Sequence, residues 1–415
     1  MEFISVVIYL SIYLGLFATT FYIWSFVVDT KKKREFLTDA ELPKVSVIIP
    51  CYNEGDAVTK TLESITASNY PKGKLEIIFV DDGSTDDSLK FARGFKSKIV
   101  RVFAKKVNGG SKAAAFNYGF TKATGEIILS MDADTMVDPE SIQRMVRYFK
   151  NKKVMAVTPS MIMSKVKGIL ERIQHVEYLM GLFLRKAFAS LNAIYITPGA
   201  FTAYRKSFMD KYGVYEEGNI TEDLEMALRI QSKGYIIENC PEAPVYTIPM
   251  NTFKTLLIQR RRWYFGLIQN LLKYKFMISK KYGDLGMFVI PIAVISVFFS
   301  LVVTGYLFIK TAFDVRGELL FLRNVNFDLP SIYRFNSYIF ERFLHRVLSN
   351  PVLIFLVIFM GVLFAYLYYA QKKVGRRWDL LINVPLFFIF FATLFAIWWM
   401  VSIFYAVFFK SIKWR

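Results

Sequence analysis

Four long stretches without a single charge constrain this chain more than anything else in it. They run from Phe3 to Val28, Met287 to Ile309, Pro351 to Ala370 and Leu380 to Phe409, the last opening beside Asp379. About 20 apolar residues suffice to cross the hydrocarbon core of a bilayer, and each run meets that length. The chain is therefore expected to have an N-terminal anchor over residues 1–30 and a C-terminal membrane region over 285–415 with three further spans. The first run lacks the basic segment that precedes the apolar core of a secretion signal, so it reads as a retained anchor. The 54% hydrophobic composition reflects these runs and is not spread evenly.

Charge gives the orientation. The formal net charge is +19, but much of the excess borders the apolar runs: Lys31, Lys32, Lys33 and Arg34 after the first, Lys372, Lys373, Arg376 and Arg377 after the third. Basic residues at helix ends mark the cytoplasmic side and meet anionic lipid. This predicts a multi-pass protein of the cell membrane with its soluble block in the cytoplasm. The loop from Lys310 to Asn350 then falls outside and Gln371 to Asp379 inside. Lys410, Lys413 and Arg415 at the outer C-terminus run against the rule. No module interleaves aromatic and basic residues as nucleic-acid binding requires, so nucleic acid is excluded as a partner. Cys51 and Cys240 lie on the reducing side, where a structural disulfide is not expected.

The block from 43 to 250 alternates strands and helices. Val45 to Pro50, Leu75 to Val80 and Glu126 to Met131 are short, nearly continuous apolar runs, each followed by a polar cluster. Such runs belong to parallel strands covered on both faces, and ligands bind beyond their carboxyl ends. Two later stretches show helical spacing. One carries Val166, Ile169, Leu170, Ile173, Val176, Met180, Phe183 and Phe188. The other, within 251–280, sets Phe253, Leu256, Leu257, Trp263, Tyr264 and Leu267 among Lys254, Arg260, Arg261 and Arg262. A basic helix with a bulky apolar face suits the membrane interface, although packing on the domain's own core gives the same pattern.

Five clusters carry chemistry. Pro50-Cys51-Tyr52-Asn53-Glu54 closes the first run and taken alone reads as a turn. Asp81 and Asp82 open Asp81-Asp82-Gly83-Ser84; adjacent carboxylates repel, which a ligand or cation would relieve. Asp132-Ala133-Asp134 places two carboxylates on one side of an extended segment, where hard oxygens suit magnesium or manganese. Thr221-Glu222-Asp223 is the fourth and also suits the first turn of a helix. In Gln259-Arg260-Arg261-Arg262-Trp263, arginine supplies donors for a diphosphate and tryptophan a face for a sugar ring.

In this order, the five clusters resemble the family-2 glycosyltransferases, specifically the processive membrane branch of cellulose, chitin, hyaluronan and poly-N-acetylglucosamine synthases. The resemblance implies an α/β, Rossmann-like GT-A domain with about four transmembrane helices and interfacial helices. It implies donor contacts from Pro50, Tyr52, Glu54, Asp81, Asp82, Lys112, Asp132, Gln259 and Arg262, with Asp82 toward the base. Asp132 and Asp134 would hold a divalent cation, Mg or Mn. Asp223 is similar to the family's general base, with Glu222 beside it in the catalytic motif, and Thr221 and Trp263 face the acceptor. The segment Thr197 to Arg205 occupies the place of the acceptor-lining loop, and a simple Pro-Gly turn reads equally well. The implied reaction is inverting transfer from a UDP-sugar, with N-acetylglucosamine preferred, onto a growing β-linked glycan. Transfer of one sugar to a polyprenyl phosphate or other lipid is the alternative. A homo-oligomer or an accessory subunit would complete a conduit for a polymer.

Overall fold

In a computed structural model of the chain, residues 2–29, 34–324, 326, 337–349, 351–374 and 380–409 are described. They form two units, one of residues 1–21 with 292–400 and one of residues 22–291 with 401–415.

The second unit is built on an eight-stranded sheet. Its strands are β1 (Val45–Cys51), β2 (Leu75–Asp81), β3 (Val100–Ala104), β4 (Ile127–Met131), β5 (Met136–Val137), β6 (Val154–Met163), β7 (Phe201–Arg205) and β8 (Ile236–Thr247), in the order β3-β2-β1-β4-β7-β6-β8-β5. β1, β2, β3 and β4 are parallel. β7 runs antiparallel to both β4 and β6. The parallel sheet expected from the sequence is thus half of a mixed one, an α/β arrangement of the GT-A kind.

Every residue of β1 is buried, which is why the strand shows no polar alternation. Successive side chains still leave on opposite faces. Val45, Val47 and Ile49 join Ile77, Phe79, Ile127 and Leu129 in a core covered by α2 (Ala57–Thr66) and α5 (Ser141–Val146). Ile48, Ile78, Val80 and Ile128 face the other way, onto α4 (Lys112–Phe120) and α8 (Glu222–Ser232). Burying each such side chain contributes about 1.5–3 kcal/mol. This double cover fixes the strand ends, where the polar clusters lie.

Phe201 to Arg205, read above as part of a loop, form β7. Its register pairs Met131 with Phe201 and Ile127 with Arg205. Only Thr197 to Ala200 remain irregular, and they are held against β4 by the Asp132 N–H, which donates to Ala200 O at 3.0 Å. The two amphipathic stretches are helices, α6 (Ile169–Ser190) and α9 (Phe253–Lys273). Thr252 caps α9 by accepting from Thr255 N at 3.2 Å.

Three helices among the described residues are long and apolar enough to cross a membrane: Ile4–Val28, Leu285–Asn324 and Leu380–Phe408. The run from Pro351 also lies in a helix, Pro351–Val374, whose described apolar part, Val357–Tyr368, is shorter. The segment after Ile309, expected as loop, stays helical to Asn324. It holds no proline, and its three leucines and two arginines propagate a helix. Lys31, Lys32, Lys33, Arg376, Arg377, Lys410, Lys413 and Arg415 lie outside the described residues, and nothing is described of the Lys372 and Lys373 side chains.

Candidate active site

Four of the five polar clusters are delivered by the end of a secondary element, and Gln259 to Trp263 lie within α9. The β1 and β2 exits are stapled together: Asn53 sits at φ +57° and its Oδ1 accepts from Thr85 N at 2.8 Å. The Glu54 N–H donates to Ser88 Oγ at 2.9 Å. Tyr52 and Glu54 are thereby presented half-buried at the sheet's carboxyl edge, with Pro50 buried behind them.

Asp81 and Asp82 are both buried and solve their repulsion differently. Asp82 accepts from Lys105 Nζ at 2.6 Å and from the Gly109 N–H at 3.0 Å, which ties the β3–α4 loop to the end of β2. Asp81 accepts from Ser84 N at 3.2 Å through one oxygen. Its other oxygen is buried and has no hydrogen-bond partner among the described residues.

The centre lies where α4, β4, the 197–200 loop and α8 converge. Ser111 caps α4 by accepting from Ala114 N at 3.2 Å, which sets Lys112 at the helix start. Lys112 Nζ donates to Gly199 O at 2.7 Å, pairs with Asp132 Oδ1, and stands 3.9 Å from Glu222 Oε1. Burial alone would lower the Lys112 ammonium; Asp132, Glu222 and Asp223 together outweigh it and hold Lys112 charged. Asp223 Oδ2 accepts from the Gly199 N–H at 2.8 Å and Oδ1 from Leu224 N at 2.8 Å. Its backbone carbonyl accepts from Thr197 Oγ1 at 2.6 Å, and Thr197 Oγ1 accepts in turn from the Tyr204 hydroxyl at 2.9 Å. Burial raises the Asp223 carboxyl, and Lys112 pulls it back. Burial and the neighbouring Asp223 push Glu222 up to about 7. Burial and Asp132 also raise Asp134.

Lys112, Asp132, Glu222 and Asp223 thus share one charge cluster. The Arg262 charge acts on both carboxylates of α8 and lowers each. Gln259, Arg262 and Trp263, at i, i+3 and i+4 of α9, share a half-buried face. Thr221 is turned away from this cluster. Its hydroxyl accepts from Asn270 Nδ2 at 3.0 Å, and its side chain fills the space where Gly266 lacks one. Thr221 fixes α8 on α9.

The sequence reading did not single out Lys105, Gly109 or Asn270. A lysine or asparagine in polar surroundings carries no signal until the sheet brings its partner near. Gly199 was visible only as half of a Pro-Gly pair.

Among the described residues no group of three or more His, Cys, Asp or Glu side chains could hold a metal ion. Asp132 and Asp134 offer two hard carboxylates. Mg²⁺ is commonly held by one or two carboxylates plus substrate phosphates, so this donor set fits a cation that arrives with a diphosphate.

Residues 46–213, which hold most of this mixed sheet and the polar clusters at Pro50, Asp81 and Asp132, match the model of glycosyl transferase family 2. The chain therefore carries, over those residues, a domain similar to the catalytic domain of that family. Among its relatives is the poly-beta-1,6-N-acetyl-D-glucosamine synthase of Staphylococcus aureus (strain MSSA476). The two are 29% identical over 276 residues, which span 66% of this chain and 66% of the relative. The synthase of the same name from Staphylococcus epidermidis is 33% identical over 254 residues, 60% of this chain and 61% of that one. The match thus spans less than two thirds of these relatives. The mannosyltransferase PcManGT from Pyrobaculum calidifontis, solved with GDP-Man and Mn2+, is similar in fold. It has a TM-score of 0.58 and 18% identity, over 88% of this chain and 98% of that chain.

Proposed function

We propose that this chain extends a β-linked polysaccharide at the membrane by inverting transfer from a UDP-sugar, with N-acetylglucosamine as the preferred donor sugar. The observation that carries the reading is the single cluster of Lys112, Asp132, Glu222 and Asp223 around Gly199. It supplies a cation for phosphate and a raised carboxylate for the acceptor within one site. The relatives' names favour N-acetylglucosamine, and this chain's three long apolar helices suit a place at the membrane.

The donor's uridine enters between the β1 and β2 exits, against Pro50, Tyr52, Glu54, Asp81 and Asp82. Its diphosphate meets Lys112, Gln259 and Arg262, which answer charge as the bond to the sugar breaks. Asp132 and Asp134 would hold a divalent cation, which supplies further charge stabilisation to the departing diphosphate. Asp223 is held by two backbone N–H groups and takes the proton of the acceptor hydroxyl as that oxygen attacks the anomeric carbon. One displacement inverts an α-linked donor to a β-linked product. Trp263 receives the acceptor's terminal sugar on its ring face.

Radiolabel incorporation by purified protein in lipid vesicles tests this. UDP-N-acetylglucosamine, UDP-glucose and UDP-glucuronate are supplied singly and in pairs, with Asp223→Asn as control. A long polymer sensitive to a β-N-acetylglucosamine-cleaving enzyme is expected from the first donor alone. A single sugar on an extractable lipid would sink the synthase reading, and retained transfer by Asp223→Asn would sink the role of that residue.

A further inference from the structure

Three arginines stand in a row ahead of Trp263, and the family resemblance gives a role only to Arg262. Arg260 is the most buried of them, at 1% exposure. Its Nη2 donates to Glu177 Oε2 at 2.7 Å, and its guanidinium carbon lies 4.2 Å from the centroid of the Trp263 ring. Arg261 points elsewhere, 4.4 Å from the Tyr405 ring. A buried charge is tolerated only when it is paired, and Glu177 of α6 supplies the countercharge. Burial raises the Glu177 carboxyl, and Arg260 pulls it part of the way back.

Arg260 and Trp263 are three residues apart on α9 and lie on one face. A guanidinium stacked on an indole is a fixed platform, because both groups are planar and the cation is attracted to the ring face. α6 also grips the chain just ahead of α9. Gln174 Nε2 donates to Met250 O at 2.7 Å, and Met250 N donates to Gln174 Oε1 at 3.2 Å. The start of α9 is therefore held by α6 at two points, Met250 and Arg260.

We propose that Glu177 and Arg260 are a positioning pair that fixes the plane of the Trp263 ring for an incoming acceptor sugar. The inference rests on the reading of Trp263 as the acceptor platform. With one ring face covered by the guanidinium, the sugar stacks on the other. Freeing the ring leaves donor chemistry intact and weakens acceptor capture.

The test uses the full chain in lipid vesicles with a short β-linked N-acetylglucosamine oligosaccharide as acceptor. It measures acceptor KM, kcat and acceptor-independent UDP release for wild type, Trp263→Ala, Arg260→Met, Arg260→Lys and Glu177→Gln. Arg260→Met keeps the side-chain volume and removes the charge. It should raise acceptor KM roughly tenfold, the size of one desolvated cation–π contact, with UDP release little changed. Arg260→Lys should recover part of the loss, and Glu177→Gln should shift KM in the same direction as Arg260→Met. An unmoved acceptor KM in Arg260→Met, alongside a raised one in Trp263→Ala, overturns the positioning pair and leaves the platform standing. An unmoved KM in Trp263→Ala overturns the platform itself. Equal loss of UDP release and acceptor use in all three pair variants would mean that the ion pair only holds the fold together.

Discussion

Replacing Gly199 with alanine inserts one methyl group between Lys112 and Asp223. Its Cβ would stand 3.0 Å from Asp223 Oδ2, 3.1 Å from Lys112 Nζ and 3.5 Å from Asp223 Cγ. Contacts that short force the neighbours apart by a few tenths of an ångström. Neither neighbour yields freely. Lys112 is tethered to Gly199 O and Asp132, and Asp223 accepts from both the Gly199 and Leu224 N–H groups. A misplacement of about 1 Å costs on the order of 10²-fold in rate, so a shift of roughly a third of that should cost about fourfold, near 0.8 kcal/mol. Gly199 does not lie in the left-handed region, so alanine adds no backbone strain there. We expect kcat for transfer to fall about fourfold while UDP affinity stays within about twofold and the melting temperature drops by only a few degrees. Single-turnover transfer, calorimetry with UDP and a thermal melt give the three readings. A kcat within twofold of wild type would refute the reasoning that this spacing sets the Lys112–Asp223 geometry.

Gly266→Ala acts on the scaffold, since its methyl would overlap the Thr221 side chain, whose Cβ would lie 2.9 Å away. It should destabilise by about 2 kcal/mol and lower the melting temperature by on the order of 5 °C; an unchanged melt would show that α8 and α9 are free to separate. Transfer should climb as pH rises, because burial raises the Asp223 carboxyl above its ordinary value and the acceptor's proton needs an ionised base. A flat kcat/KM profile between about pH 5 and 8 contradicts this. Stability runs the opposite way: the folded value of Glu222, about 7, exceeds its ordinary 4.5, so its contribution is intact below 4.5 and lost as pH rises through 7. Glu222→Gln should accordingly gain melting temperature over wild type as pH rises, and a gap that stays constant with pH would refute it. Chelation of divalent cations should stop transfer, and Asp134→Asn should raise the Mg²⁺ or Mn²⁺ concentration needed to restore it; a chelator-insensitive rate would remove the metal from the proposal.

The parallel half of the sheet was legible because β1, β2 and β4 are buried on both faces, so their sequences are apolar without interruption and end abruptly in polar clusters. α6 and α9 were legible by their spacing. The mixed half, β5 to β8, was not. β6 contains Thr158, Pro159 and Ser160, and β8 contains Pro241 and Pro244 with register shifts between the two strands, so neither reads as a strand locally. β7 was hidden because a five-residue segment beside a Pro-Gly turn shows its strand character only when β4 pairs with it. Within the site, the acidic clusters were visible as residues. The tie from Asp82 to Lys105, the burial of Arg260 and the packing of Thr221 against α9 were not, because each depends on a partner far away in sequence.

The antiparallel seam between β4 and β7 also dictates an order of assembly. Everything from Pro50 to Asp134 is synthesised before the segment bearing Gly199 and Asp223, and chains fold from the N-terminus as they emerge. The first four parallel strands close through local crossovers, yet the β4 edge, with Ile127 and Leu129, stays unpaired until β7 arrives. For that interval the nascent chain exposes an apolar strand edge that invites pairing with other chains. It also lacks the carboxylate that would activate an acceptor or a water. A half-made enzyme therefore cannot squander its sugar donor, and premature termination before β7 yields an aggregating fragment rather than a leaky hydrolase.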